Sequence, residues 1–496
     1  MDEIRSEFLK ALDVVGLCWL TRLCNSAWTL GAVPLDWQTG VVVPLFKKGG
    51  SRVCSNYSEI TLLNLPGKVY SGVLERRVHR IVEPQIQEEQ CGFHPGRGTL
   101  DQLYALRGIL EGEWEFAQPV YMCFVDLEKA FDRFPRRALW GVLQEYGVPG
   151  HLIWVVRSLY DRCQSLVRIA GSKSGSLPVR VGLRQGYPLS PILFITFMDR
   201  ISRRSQGVEG IHFGGLRIRS LLFADDVVLL TSSERDLQRS LERFAAGMTI
   251  SSSKSETMVL IRKRVECLLR VRDEVLPQVE EFKYLGVLFT SEGKLEREID
   301  RRIGAASAVM RVLYRSVMVK RELSQKAKLS IYLSIYVPIL TCGHELWVGT
   351  KRTRWQMHAA EMSFLQRVAG LPLRDRVRSS VIREGLGVDL LLLHIKRNQL
   401  RWLGHLVRMP PGCLPGEVFR ARPTGRRPKG RPRTRWRDYV SLLTRECLGI
   451  PPEELAQVAG EREVWASRLR LLPPRPDSRK ADENGWMDGL MCACML

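Results

Sequence analysis

Apolar and polar positions along the chain alternate between helical and strand spacing. From the first residue to about residue 35 the apolar positions recur with helical spacing. A strand-rich stretch broken by Pro and Gly follows, centred on VVVPLFKKGG, where Lys47, Lys48, Gly49 and Gly50 predict a basic turn. Helical spacing returns from Ile60 to Val82, with Leu74, Val78, Ile81 and Val82 on one face, and again from about Leu100 to Glu113. YMCFVDLEKAFD, Tyr121 to Asp132, starts as a buried strand and turns polar and amphipathic. GLRQGYPLSPILFITFMDRI reads as a glycine-bounded loop entering an apolar helix, with Ser190 and Pro191 as N-cap and first helical residue. LLFADDVVLL, Leu221 to Leu230, predicts two buried strands joined by a tight turn that carries Asp225 and Asp226. SERDLQRSLERFAAGM predicts a helix, SSSKSETMVL a turn and strand, and FKYLGVLFTSEGK a hairpin. Beyond about residue 295 the pattern is almost entirely helical.

Two aspartates in a hairpin turn, taken alone, supply turn geometry and face water. A chemical role needs a third carboxylate from another strand, and Asp126 stands where the YMCFV strand ends. An acid at one strand end and two in a neighbouring turn can converge on one point. Mg²⁺ requires that arrangement, since it takes carboxylate oxygens and substrate phosphates and keeps several waters. Two such ions about 3.5–4 Å apart activate an attacking hydroxyl and stabilise a leaving oxygen. The chemistry this suggests is phosphoryl transfer on a nucleotide. About a hundred residues between Asp126 and Asp225 leave room for a substrate-binding loop and helix.

Charge narrows the choice of partner. The 496 residues include 75 Lys and Arg against 53 Asp and Glu, a formal net charge of +22 that favours a polyanion. No apolar run reaches the roughly 18 residues of a spanning helix, so no membrane role is expected. The first residues lack the basic n-region of a signal peptide. The twelve cysteines show no C-x-x-C pair or matched His spacing, and read as reduced thiols of an intracellular protein. Cys492 and Cys494, in a tail read as disordered, lack neighbours of ligand type. TGRRPKGRPRTRWRD, residues 424–438, reads as extended and solvated. It is either a charged linker or a polybasic strap on phosphates, through Arg426, Arg427, Lys429, Arg431 and Arg433.

FVDLEKAFD, GLRQGYPLSP, FADD, GMTISSSKSE and FKYLGVLF, in that order, resemble the successive palm motifs of reverse transcriptases of non-LTR (LINE-type) retrotransposons. The resemblance extends upstream through DWQTGVVVPLFKKGG, NYSEITLLN and CGFHPGRGTLDQ, and downstream through LTCGHELW, FLQRVAG and QLRWLGHLVRMP. It implies an α/β (α+β) right-hand polymerase: an N-terminal helical segment 1–34, fingers and palm 35–290, a helical thumb 291–400, and a basic, partly disordered nucleic-acid-binding region 401–496. The implied activity is RNA-directed DNA synthesis, a primer 3′-hydroxyl attacking the α-phosphate of a dNTP on two Mg²⁺ ions, with Mn²⁺ able to substitute. RNA template and DNA primer or target DNA are the implied partners.

Residue by residue, the resemblance makes Asp126 and Asp225 the principal catalytic metal ligands. Asp226 is a less direct third acid, and the backbone carbonyl of Leu127 joins them. Phe131 matches the bulky gate beneath the sugar, and Gln185 and Gly186 the loop packed on the incoming nucleotide. Lys254 matches a lysine that protonates or neutralises departing pyrophosphate, and Lys47 and Lys48 belong to the nucleotide side. Arg97 and Arg184 join the basic segment as nucleic-acid contacts, the Phe282–Phe289 hairpin resembles the primer grip, and His344 is read as thumb packing.

The chain departs from the family where Asn56-Tyr57-Ser58-Glu59 replaces Asn-Tyr-Arg followed by Gly or Pro. The family's arginine there clamps the triphosphate. His94 likewise stands in place of an arginine. The alternative is thus a catalytically impaired copy that acts as a nucleic-acid-binding protein. Only about thirty residues precede the resemblance and no zinc knuckle follows it, so endonuclease activity is expected to come from elsewhere. The helical tail offers no ribonuclease H pattern. The expected location is the nucleus and cytoplasm, as a ribonucleoprotein.

Overall fold

A computed structural model describes residues 6–47, 49–169, 171–204, 207–262, 265–320, 322–371, 375–423, 425–430 and 432–472. At its centre lies strand Val120–Val125, flanked antiparallel by Asp226–Thr231 on one side and Glu256–Leu260 on the other. Strand Ser220–Phe223 completes the four-stranded sheet as the outer half of the predicted hairpin. Side chains alternate across a strand with period two, and here both faces are covered. Cys123, Val125, Val227 and Leu229 enter one core with helices Leu189–Arg204 and Glu234–Ala245. Met122, Phe124, Val228 and Leu230 enter a second, with helix Thr99–Glu115. Burial on both faces is why these strands read as unbroken apolar runs.

A second sheet pairs Thr39–Phe46 antiparallel with Tyr57–Leu63 and parallel with Gln164–Ile169. This corrects the helix expected from Ile60. Residues 60–63 are strand, and the helix is Leu65–Val82, capped by the Asn64 side chain, which accepts from the Gly67 N–H at 3.3 Å. The β-branched Ile60 and Thr61 fit a pleated pairing, and Asn64-Leu65-Pro66 is the true start signal. The helix after the glycine loop begins at Leu189, so Ser190 lies inside its first turn, where its hydroxyl donates to the Arg184 carbonyl at 2.6 Å.

Beyond Glu296 the described residues are helical, as expected, but the last third is no loose extension. Helices Leu414–Arg420, Trp436–Leu448, Pro452–Gly460 and Arg462–Arg470 join the same core as Tyr104 and Phe124. The fully buried Trp436 meets the Tyr104 ring edge-on at 5.1 Å and donates its indole N–H to the Glu345 carbonyl at 2.7 Å. The basic segment, read as solvated, is instead docked. Arg427 and Arg435 both pair with Glu115, the latter at 3.0 Å, and the Arg433 guanidinium lies 4.1 Å over the Trp114 ring. Its partners sit on a helix about three hundred residues earlier, where local composition gives no hint of them. Thr424, Arg431 and the tail with Cys492 and Cys494 lie outside the described residues.

Candidate active site

The register of the central sheet brings the acids together. Val125 pairs with Val227, so Asp126 leaves its strand beside the turn that begins the next. That turn has two residues, Ala224 and Asp225, between the paired Phe223 and Asp226. Ala224 has φ +58, the left-handed region that L side chains rarely adopt. A buried residue from a distant loop holds it there. The Gln90 side-chain oxygen accepts from the Gly92 N–H at 2.9 Å and from the Ala224 N–H at 3.0 Å. Gly92 approaches so closely that a Cβ would stand 2.3 Å from the Ala224 nitrogen. From the other side, the Asp126 N–H donates to Ser255 Oγ at 3.0 Å, and the Ser251 N–H donates to the Asp126 carbonyl at 2.9 Å. Leu127 is buried and bridges to Ile250.

The acids crowd one another. Burial first, and then the Asp126 charge, push the Asp225 pKa up, although a backbone hydrogen bond opposes the shift. Burial, then Asp225 and Asp126, push Asp226 up to about 6. Both aspartates keep a solvent-open side, so the crowding is at a rim and not in a sealed core. Lys254 Nζ stands 3.5 Å from Asp126 Oδ1, and that oxygen accepts no hydrogen bond among the described residues. An all-oxygen donor set of crowded carboxylates fits a hard divalent cation. The described residues contain no preassembled cluster of three metal-ligating side chains.

Phe131, the Gly182–Gly186 loop and strand Tyr57–Leu63, read as the nucleotide side, lie against one another. Phe131, half-buried, stacks on Phe194 at 4.5 Å, and the Leu183 N–H donates to the Phe131 carbonyl at 2.7 Å. A Cβ on Gly182, at φ +83, would lie 2.5 Å from the Asp132 carbonyl oxygen. Gln185 and Gly186 are exposed just beyond, Gly186 packing by the Thr61 carbonyl of strand Tyr57–Leu63. On that strand Glu59 hydrogen-bonds Asp132. Burial and the Asp132 carboxylate raise the Glu59 pKa, with Lys129 opposing. Lys47 is exposed on the preceding loop, whereas Lys48 and the Ser58 side chain lie outside the described residues.

Two predicted nucleic-acid contacts are corrected. Arg184 is buried, donating to the carbonyls of Gln38 and, at 2.8 Å, Gln164. Arg97 is held between the Glu88 carboxylate at 2.5 Å and the Cys413 sulfur at 2.8 Å. Both guanidiniums brace the fold. Arg426 and Lys429 are exposed, as expected of phosphate contacts. The expected grip hairpin is present as Glu281–Tyr284 and Val287–Thr290, with Phe282 stacked 3.9 Å from Phe124, and His344 is buried in packing. Gln90 and Ser255 were not singled out by sequence. A lone polar residue in a coil has no periodicity, and only the coordinates show what it locks.

Two acids on a hairpin thus face a third at the end of the adjoining strand. Residues 46–289 match the family model described as reverse transcriptase (RNA-dependent DNA polymerase), and the chain is similar to proteins named as polymerases of retrotransposons. It is 27% identical over 280 residues to an uncharacterized 149 kDa protein of transposon TX1 from Xenopus laevis, covering 55% of this chain and 21% of that protein. It is 25% identical over 363 residues to a probable RNA-directed DNA polymerase from transposon X-element of Drosophila melanogaster, covering 70% and 39%. Apo telomerase from Candida tropicalis is similar at a TM-score of 0.42 and 11% identity, over 92% of this chain and 74% of that one. The chain thus spans well under half the length of these two curated relatives. The family uses divalent metal ions. No helix among the described residues is long and apolar enough to cross a membrane.

Proposed function

We propose that this chain is an RNA-directed DNA polymerase that extends a primer 3′-hydroxyl with dNTPs on an RNA template. The observation that carries the reading is the meeting of Asp126, Asp225 and Asp226 beside Lys254, at a strand end and turn locked from both sides. Asp126, Asp225 and the Leu127 carbonyl would hold divalent ions, Mg²⁺ first and Mn²⁺ in its place, with Asp226 assisting. Such ions, when bound, activate the attacking hydroxyl and neutralise the leaving group. Lys254 holds a proton within reach of the same oxygens. Phe131 fills the space beneath the sugar, and the Gln185–Gly186 backbone lies against the incoming nucleotide. Residues 35–290 act as fingers and palm and 291–400 as thumb. The net charge of +22 suits an RNA template and DNA primer.

The impaired-copy reading is favoured by one observation, the Glu59–Asp132 carboxyl pair on the nucleotide side. Primer extension on a primed RNA template with Mg²⁺ and then Mn²⁺ tests both readings. Slow incorporation, faster with Mn²⁺, is expected. RNA binding without incorporation under either ion would leave the impaired copy.

Phe131→Val should raise ribonucleotide incorporation about tenfold or more relative to dNTP, since bulk beneath the 2′ position is removed. Discrimination equal to that of the parent would place the gate elsewhere. The substitution also removes the stack on Phe194, so a thermal melt must accompany the assay.

A further inference from the structure

A cavity walled by basic side chains lies away from the carboxylates. It has a volume of about 730 Å³ and is formed by the C-terminal end of helix Thr99–Glu115, residues 293–299 and the docked basic segment. It sits by the N-terminal end of strand Val120–Val125, whose other end leads to Asp126. At about 3.3 Å per residue the two sites are roughly 20 Å apart.

Seven basic side chains against three carboxylates line it. Several of the cations are spent internally: Arg427 and Arg435 share Glu115, and Lys294 pairs with Glu292 at 2.5 Å. Others are not. Arg107 is buried, with two of its nitrogens on Glu111, but its Nη1 has no hydrogen-bond partner among the described residues. A buried guanidinium nitrogen left unpaired is costly and marks a missing acceptor. Arg262 and Arg433 both face the Trp114 ring, at 5.7 and 4.1 Å, so two like charges share one indole. Arg433 also donates to the Glu292 carbonyl at 2.5 Å, whereas among the described residues Arg262 finds only the Trp114 carbonyl, at 3.5 Å, and Lys429 makes no ion pair. Like charges gathered around one cavity, beside an unpaired donor, call for an anion that accepts several hydrogen bonds at once.

We propose that this cavity seats phosphodiester groups of single-stranded RNA, held by Arg262, Lys429 and Arg433 with Arg107 behind them, an assignment that rests on the polymerase reading for the choice of RNA. An open-sided cavity beside an extended basic segment suits a threaded backbone better than a compact metabolite. The strap is then one wall of a distal RNA site, braced on Glu115, with Lys429 and Arg433 lining the cavity.

The test uses the full chain and a labelled oligouridylate of about 20 nucleotides, read by fluorescence anisotropy across a salt titration. Charge reversal by R262E with K429E is expected to weaken binding at least tenfold. It should also flatten the slope of log affinity against log salt by about 1.4, near 0.7 for each phosphate no longer neutralised. The milder R262Q with K429Q should move both quantities the same way, and R262K with K429R should restore them. Melting temperatures check the fold. Parental affinity and slope in both the reversed and the neutralised variants would overturn the proposal. So would inorganic phosphate displacing the RNA as well as an equal concentration of unlabelled RNA phosphates does. Loss of RNA binding in a chain that extends no primer would sink the polymerase reading and leave the site standing. Intact extension with unaltered RNA binding in the variants would do the reverse.

Discussion

Asn in place of Asp225 should lower primer extension on the order of 1,000-fold or more, equivalent to about 4 kcal/mol of transition-state stabilisation. The same loss is expected for Asp126→Asn, and a smaller one for Asp226→Asn, which is the less direct of the three. The expected fate of the fold separates a chemical from a structural defect. Asp225 is ionised only against burial and the charge of Asp126, so the neutral amide relieves a repulsion. The metal-free D225N protein should therefore melt at or above the parental temperature while its extension collapses. RNA affinity at fixed salt should stay within about twofold, because the basic surface is untouched. Extension by D225N at the parental rate would refute the metal-site assignment.

The largest gain is expected from Ser58→Arg combined with Glu59→Gly. An arginine fork grips triphosphate oxygens with paired, charge-assisted hydrogen bonds that a serine cannot supply. Glu59 adds a second obstacle, since its carboxyl faces Asp132 one residue beyond the proposed sugar gate. Supplying the grip and removing the acid should raise incorporation efficiency roughly 30-fold to 1,000-fold, or about 2–4 kcal/mol, seen chiefly at low dNTP concentration. The pH dependence gives an independent handle. Glu59 has a folded pKa raised above its unfolded value, so the proton it holds is lost as pH rises, and the repulsion grows in the same direction. Parental incorporation should accordingly fall relative to the double mutant as pH rises through the Glu59 titration. Equal efficiency in the two proteins across a dNTP titration would mean that another group already grips the triphosphate.

The three neighbouring acids were legible in the chain because a strand buried on both faces writes itself as an unbroken apolar run, and charge at its end stands out. Val120–Val125 and Asp226–Thr231 are of that kind. Strand Tyr57–Leu63 was not read as one piece, because its apolar residues run straight into those of the next helix and blur the change of period at Asn64. Arg97 and Arg184 illustrate a different limit. An arginine's value to a phosphate depends on whether carbonyls or carboxylates reach it first, and that is settled by tertiary contacts such as Gln164 and Glu88. The basic run at 425–435 was visible as composition, but its docking on Trp114 and Glu115 was not. The Gln90 lock on the catalytic turn left no trace either, for a single buried glutamine carries no pattern.

The core that joins Leu103 and Phe124 to Trp436, Trp465 and Leu472 decides how this molecule can be taken apart. The stretch matching the family model ends at residue 289, yet the helix carrying Tyr104 presents its outer face to Trp402, Val418 and Trp436, all beyond that point. A fragment trimmed to the matched boundary would bare a contiguous apolar surface of the kind that drives aggregation. Expression trials should retain the chain through Leu472, because the last helices serve as solubilising cover for the central sheet.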